Sequence, residues 1–422
     1  MPRLLAINNY YYDRGGSEAI FFAHNRMLED LGWDIVPFSM QHPQNHPTPY
    51  AKYFIEDLDA HGKYSLLQKA SRIPKVIYSF EARRKLDELL RVAQPDIAHG
   101  HNIYHHISPS VLSLLKGRGI PTVLTLHDLK IACPAYNMLA PDGVCERCKG
   151  GRIHNVVRNR CINGSAAMSL VVMLEAAVHK MLGSYKRYVD AFVVPSRFYI
   201  EKFSEWGMPA SMFRYVPNFV DVGRYSPKYE TGDAFLYFGR VIRQKGVATL
   251  IHAAAAAGAK LLIAGTGPEM AQMQALAATL KADVTFLGHL GGQELHDVIG
   301  SCRAVVLPSE WYENAPVSLL EAYALGKPVI GARIGGIPEM IRENETGATF
   351  ASGQAQSLRG VLEDFMGRPG EQLRDMGAAG RRWVAEDFTV AMYRQRIMSV
   401  YRDLGVPAAA AAAGHQPVSA SS

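Results

Sequence analysis

The chain has 422 residues, 48% of them hydrophobic, with 45 basic and 39 acidic side chains and a net charge of +6. That length supports two or three domains, each able to bury a full core, and the charge excess is too mild to call for nucleic acid. No apolar run reaches the ~18 residues that a membrane span needs. The opening Met1-Pro-Arg-Leu-Leu-Ala-Ile7 passes into Asn8-Asn9 and tyrosines, which reads as a first strand and not a signal peptide. The expected location is therefore the cytoplasm.

Strand and helix periods alternate along the chain. The first half offers strands at Leu4–Ile7, Asp34–Phe38, Ile97–Gly100, Thr122–Leu126, Ala191–Val194 and Tyr215–Pro217. The second offers Ala234–Phe238, Lys260–Ala264, Val284–Leu287, Ala304–Leu307, Pro328–Gly331 and Thr349–Phe350. Alternating βα units predict parallel sheets with helices on both faces. The expected divisions are a first domain over 1–218, a polar linker over 219–233 with Gly223, Pro227 and Gly232, and a second domain over 234–385. A last helix over 386–405 has Phe388, Met392, Ile397, Val400 and Tyr401 on one side, and the alanine- and serine-rich 406–422 reads as a disordered tail.

Several local clusters invite a function. Between Lys63 and Arg91, basic residues that include Lys75, Arg83, Arg84 and Lys85 interleave with Ile73, Val76, Ile77, Tyr78 and Phe80. Such a stretch is either a patch for an anionic membrane face or a solvated helix face. His101, His105 and His106 crowd the loop after the third strand. No carboxylate recurs at a metal-ligand spacing beside them, so they are expected to line a cleft. His127 follows the fourth strand and should face that cleft. An insertion over 130–165 holds Cys133, Cys145, Cys148 and Cys161. In a reducing compartment this set points to a structural zinc or to plain reduced thiols beside the cleft.

Three strand-to-helix turns of the second half carry the chemistry. Phe238-Gly-Arg-Val-Ile-Arg-Gln-Lys-Gly246 brings Gly239, Arg240 and Lys245 to one turn, and Ile263-Ala-Gly-Thr-Gly-Pro268 brings Gly265 and Gly267 to another. A guanidinium and an ammonium match a pyrophosphate, one as a fork and one as a point charge. In Glu313-Asn-Ala-Pro-Val-Ser-Leu-Leu-Glu321 one carboxylate precedes a short helix and the other lies more than a turn inside it. Pro316 suits the first helical position, which leaves the amides of Val317, Ser318 and Leu319 for an anion. The carboxyl ends of parallel strands share one edge, where open α/β sheets bind ligands. Asp57-Leu-Asp59 has the form of a metal-binding acidic pair but stands away from that edge.

With Gly15-Gly16, His127 after Thr122-Val-Leu-Thr-Leu126, Val194-Pro-Ser196, Val216-Pro-Asn218 and Gly335-Gly-Ile-Pro-Glu339, these motifs resemble the retaining glycosyltransferases of family 4 (glycosyl transferases group 1). The resemblance runs from residue 1 to about 350 and implies the GT-B fold, two Rossmann-like domains facing across a cleft with a C-terminal helix crossing back to the first. It implies transfer of a hexosyl group from a nucleotide diphosphate sugar to a hydroxyl of a glycan or lipid-linked acceptor, as in surface polysaccharide or glycolipid biosynthesis. No catalytic metal or other cofactor is implied, and the basic stretch adds an expected contact with the inner membrane face. By resemblance Glu313 orients the donor sugar, Glu321 grips the ribose, Arg240 and Lys245 neutralise the leaving diphosphate, His127 lies near the sugar, and His101, His105 and His106 line the acceptor side of the cleft. Gly15-Gly16 permits close backbone approach, and the main chain at His289 and Leu290 reads the base. Gly239, Gly265 and Gly267 with Asn314, Ala315, Pro316, Val317, Ser318 and Leu319 complete the donor side. A nucleotide-sugar epimerase of similar fold, or a catalytically silent donor-binding subunit, shares part of this pattern; the intact charged set and the cysteine insertion favour transfer.

Overall fold

The computed structural model describes residues 1–57 and 73–406. Its first sheet contains β1 (Arg3–Ile7), β2 (Asp34–Phe38), β3 (Ile97–Gly100), β4 (Thr122–Thr125), and, after a two-stranded hairpin of β5 (Leu139–Ala140) and β6 (Gly143–Val144), β7 (Ala191–Val194) and β8 (Phe213–Tyr215). The second contains β9 (Phe235–Phe238), β10 (Leu261–Ala264), β11 (Val284–Gly288), β12 (Ala304–Leu307), β13 (Val329–Ala332) and β14 (Gly347–Phe350). The orders are β2-β1-β3-β4-β7-β8 and β11-β10-β9-β12-β13-β14, with parallel pairing between neighbours. Strands such as β12 and β13 are buried at every position, as parallel strands covered on both faces must be. This is the two-sheet GT-B architecture.

Most strand expectations are met within a residue or two. The exception worth a reason is β8, which precedes its expected place. Val216 N still reaches Val194 O at 3.1 Å, but Pro217 has no N–H to extend the ladder. The last helix also starts later than expected. Residues to Asp387 belong to the helix Gly370–Asp387, and the next helix, Val390–Asp403, is opened by Thr389, whose hydroxyl accepts from Met392 N at 3.2 Å. Tyr393, Ile397, Val400 and Tyr401 of that helix pack among Leu4, Ala6, Phe21 and Trp33 of the first half.

In the second sheet β9 pairs with β10 on one side and β12 on the other. The strand order reverses there, and the crevice beyond the carboxyl ends of β9 and β12 is where such sheets take ligands. The first half closes over it through polar contacts. Glu339 accepts from the amides of Arg197 and Phe198 at 2.9 and 2.6 Å, at the start of the helix Arg197–Glu205. A carboxylate on a helix start is favoured by its unpaired amides and its dipole. Tyr199 donates to Tyr312 O at 3.0 Å, and Tyr312 donates to Glu146 at 2.9 Å. Among the described residues, no helix is long and apolar enough to cross a membrane.

Candidate active site

The loop after β12 holds the centre of the site. Glu313 is buried, and its Oε1 accepts from Lys245 Nζ at 2.7 Å, Ser309 Oγ at 2.6 Å and Trp311 Nε1 at 2.8 Å. Burial alone raises its pKa, but the Lys245 charge and the three donors outweigh it and hold the carboxyl below its ordinary range. Glu313 is therefore a carboxylate at neutral pH, and none of those three bonds goes to Oε2. Lys245 comes to it from the turn after β9. Gly246, at φ 68°, makes this approach possible, because a Cβ there would stand 1.9 Å from Pro308 O. Ser309 and Trp311 were not singled out in the sequence; their spacing before Glu313 is legible only once the loop is seen to fold back on itself.

Glu313 and Asn314 are gripped from behind by Gly335-Gly336. A Cβ on Gly335 would stand 2.3 Å from Glu313 O, and one on Gly336 2.0 Å from Asn314 O. Asn314 then reaches the other half: Nδ2 donates to Leu126 O at 2.9 Å, and Oδ1 accepts from Ser196 Oγ at 2.8 Å. Its side chain thus joins the halves beside His127. Asn218 of the Val216-Pro-Asn218 motif donates to Ala315 O at 2.7 Å and fixes the same loop.

The helix Val317–Ala324 follows with Pro316 as its cap (ψ 121°), one position earlier than expected. Leu319 N already donates to Pro316 O at 3.1 Å, so the amides that the helix cannot itself satisfy are those of Val317 and Ser318. Glu321 is half-buried on this helix. Burial pushes its pKa up to about 7, and a long hydrogen bond from Tyr225, 3.5 Å, offsets little of that. Arg240 is exposed at the edge, and its charge opposes the rise that burial and Asp128 impose on the Tyr136 phenol across the cleft.

The glycine turns pack against each other. A Cβ on Gly265 would lie 1.8 Å from Gly239 O, and one on Gly267 2.1 Å from Val241 O. These glycines let two strand-end turns lie against each other. Gly16, by contrast, has open space where a Cβ would be, at the start of the helix Gly16–Glu29. His289 and Leu290 follow β11 at the outer edge of the sheet, the first exposed and the second half-buried.

On the other side of the cleft His127 is half-buried, with its pKa lowered to about 4 by burial. Its Nε2 lies 2.8 Å from His101 Nδ1, not on Asp128. His101 is buried and lies behind His127, so it does not line an acceptor surface. His105 pairs with the buried Glu175 at 3.1 Å, which also receives Lys130 at 2.8 Å; His106 packs its ring edge-on near Tyr10. Burial raises the thiols of Cys133, Cys148 and Cys161; neighbouring cysteines add to the rise at Cys148 and Cys161, whereas backbone hydrogen bonds from Met138 and Ala135 oppose it at Cys133. Among the described residues, however, no three His, Cys, Asp or Glu side chains are arranged to hold a metal. The thiols are free, and no zinc is assigned to them. Asp59 lies outside the described residues.

Two facing α/β halves, with cationic and acidic side chains at the carboxyl ends of their strands, define a GT-B protein. Residues 14–224 match Glycosyltransferase Family 4 and residues 224–383 match Glycosyl transferases group 1, and the chain belongs to this family of glycosyltransferases. It is 24% identical over 403 residues to N-acetyl-alpha-D-glucosaminyl L-malate synthase of Bacillus anthracis, covering 93% of this chain and 95% of that one. It is 26% identical over 237 residues to a GDP-mannose-dependent monoacylated alpha-(1-6)-phosphatidylinositol monomannoside mannosyltransferase of Corynebacterium glutamicum, covering 50% of this chain and 62% of the relative. Anabaena HepE, solved in complex with UDP and glucose, shares the fold at a TM-score of 0.66 and 16% identity, over 96% of this chain and 100% of that one.

The raised Glu321 pKa has a measurable consequence. The folded protein holds this proton more tightly than an unfolded chain, whose glutamate titrates near 4.5. The Glu321 contribution to stability therefore declines as pH rises from about 4.5 to about 7, then levels off. Denaturant unfolding across that window should show the decline in the ligand-free protein and lose it in Glu321→Gln; an identical slope in both would contradict a raised acid here.

Proposed function

We propose that the protein moves a hexosyl group from a nucleotide diphosphate sugar to an acceptor hydroxyl with retention of anomeric configuration. The observation that carries the reading is the Glu313–Lys245 pair at the strand-order reversal, beside the free amides of Val317 and Ser318. In transfer the bond from the anomeric carbon to the phosphate oxygen breaks, and charge grows on the departing diphosphate. An ammonium has three donors; Lys245 spends one on Glu313 and directs the others at that charge. Arg240 and the two helix amides add to it, and positive groups fixed before the reaction stabilise developing charge without reorganising. Glu313 presents Oε2 to the sugar hydroxyls. Glu321 takes the ribose, and His127 meets the sugar from the opposite wall. This cation set supplies the role a divalent metal would otherwise fill. The names of relatives that use GDP-mannose, or were solved with UDP, support a nucleotide-linked donor.

A lipid-linked acceptor is favoured by the surface of the first half. Part of the basic stretch falls outside the described residues, and most of its visible charges are engaged: Lys75 with Glu56 and Glu81, Arg83 with Ser110 and Ser113, Arg84 with Glu88, and Lys85 with Phe54 O. Beyond Phe80 of that stretch, the apolar exposure lies on the helix Ala166–Leu182, where Leu170, Leu174 and Met181 face solvent. Phe80 and Met181 are each 76% exposed, and Tyr78 bridges the two elements by packing on both Phe80 and His179. Exposed Lys180, Lys186 and Arg187 flank the patch. An apolar face rimmed by cations fits an anionic membrane face, which supports contact with the inner leaflet.

Lys245→Ala should lower turnover on the order of a hundredfold, the usual scale for losing one such electrostatic group, while donor KM changes far less. Chelator should leave transfer unaffected. Release of a free epimerised sugar without any glycosylated acceptor would instead identify an epimerase, and absolute dependence on added divalent metal would overturn the charge argument.

Phe80→Asp with Met181→Asp should abolish sedimentation with anionic vesicles at low salt and leave thermal stability nearly unchanged, since both side chains are exposed. Wild-type protein that ignores such vesicles would end the membrane assignment.

A further inference from the structure

Behind His127 stands a buried column of three more imidazoles. The rings of His127 and His101 lie 5.1 Å apart at 27°, those of His101 and His99 5.0 Å apart at 31°, and those of His99 and His24 4.7 Å apart at 75°. His24, His99 and His101 are each 1% exposed. The far end of the column is held by the returning C-terminal helix. The Tyr401 hydroxyl lies 2.7 Å from His99 Nδ1 and 3.1 Å from His24 Nε2, and the Tyr393 hydroxyl lies 3.0 Å from His24 Nδ1. Thr125 Oγ1 lies 2.7 Å from His99 Nε2. Both nitrogens of His24 and His99 are thus occupied.

His101 is different. Its Nδ1 faces His127 Nε2 at 2.8 Å, while its buried Nε2 has no partner, and the Phe21 ring packs edge-on 5.2 Å away. Burial lowers the pKa of all four rings, so the column is neutral at neutral pH. A neutral imidazole has one N–H and one lone pair, and the contact between His101 and His127 holds one hydrogen only. With that hydrogen on His127, His101 would carry its own on Nε2, as a buried N–H without an acceptor. Orphaned buried N–H groups are rarer in proteins than unpaired acceptors. The hydrogen therefore belongs to His101 Nδ1, and His127, accepting at Nε2, carries its proton on Nδ1.

We propose that His101 is a positioning residue of the transfer reaction, whose Nδ1–H holds His127 in the Nδ1–H tautomer so that His127 meets the donor sugar as a hydrogen-bond donor of fixed direction. This rests on the reading of His127 as the cleft residue beside the sugar. The column behind His101 serves the same end. Tyr401 and Tyr393 hold His99 and His24 in place, and the stacked rings leave His101 no room to swing away.

Nitrogen-15 spectra of histidine-labelled, ligand-free protein read the tautomer directly, with His127→Gln assigning the signal. The expected result is Nδ1–H with Nε2 as acceptor; the reverse tautomer overturns the proposal whatever the enzyme does. His101→Asn keeps an N–H donor at the position of Nδ1 and should preserve both the tautomer and kcat to within a few-fold. His101→Leu keeps volume without a donor. It should mix the tautomers and lower kcat about 10- to 100-fold, by analogy with the loss of a partner that orients a metal-ligating histidine, with donor KM little changed. Equal losses in both variants with an unchanged tautomer would reduce His101 to packing and overturn the proposal. Wild-type protein that shows the Nδ1–H tautomer yet transfers nothing would support the His101 hydrogen bond and refute the transferase reading instead.

Discussion

The Glu313–Asn314 peptide is where the fold and the site meet. Glu313 gathers Lys245, Ser309 and Trp311 on one oxygen, while Asn314 points the other way, to Ser196 and to the carbonyl next to His127. One peptide unit thus fixes a cation from the turn after β9 and the distance to the opposite wall. Glycines at 335 and 336 are required behind it because any Cβ would strike its backbone. A buried carboxylate left without partners costs several kcal/mol; with three donors it stays ionised, and the Lys245 it holds is poised at the strand-order reversal.

Two glutamates eight positions apart in one motif end with opposite chemistry because their surroundings differ. Glu313 is lowered by a cation and two neutral donors, whereas Glu321 has little but burial and one long bond from Tyr225, and so sits near 7. One crevice thus holds a carboxylate kept ionised by fixed donors and a carboxyl that titrates near neutrality, a contrast typical of functional sites. The same contrast separates the two walls. The donor side is built from charges, and the facing wall from neutral histidines whose direction is set by hydrogen bonds.

Much of this was legible in the sequence, and the failures have physical causes. Apolar runs followed by glycine turns gave the strands and the shared edge, because a parallel strand buried on both faces has little choice of residue. The packing of Gly265 and Gly267 and the cross-half bonds of Asn314 were not legible there. Their constraint comes from backbone or side chain brought near by the fold, and residue spacing does not encode it. Ser309 and Trp311 went unnoticed for the same reason. His24 and Tyr401 are 377 positions apart, and only the return of the last helix unites them. The exposed apolar face of Ala166–Leu182 was missed because a helix rich in Ala, Leu and Met reads as core unless one knows what covers it.

The proposed transfer requires that the crevice beyond β9 and β12 bind the nucleotide diphosphate, with Lys245 and the first amides of the helix Val317–Ala324 on the phosphates. A crystal structure with a nucleoside diphosphate bound tests this most directly. Terminal phosphate oxygens should lie within hydrogen-bond distance of Lys245 Nζ and of the Val317 or Ser318 amide, with the ribose hydroxyls on Glu321. A nucleotide seated elsewhere, with Lys245 still bound only to Glu313, would contradict it.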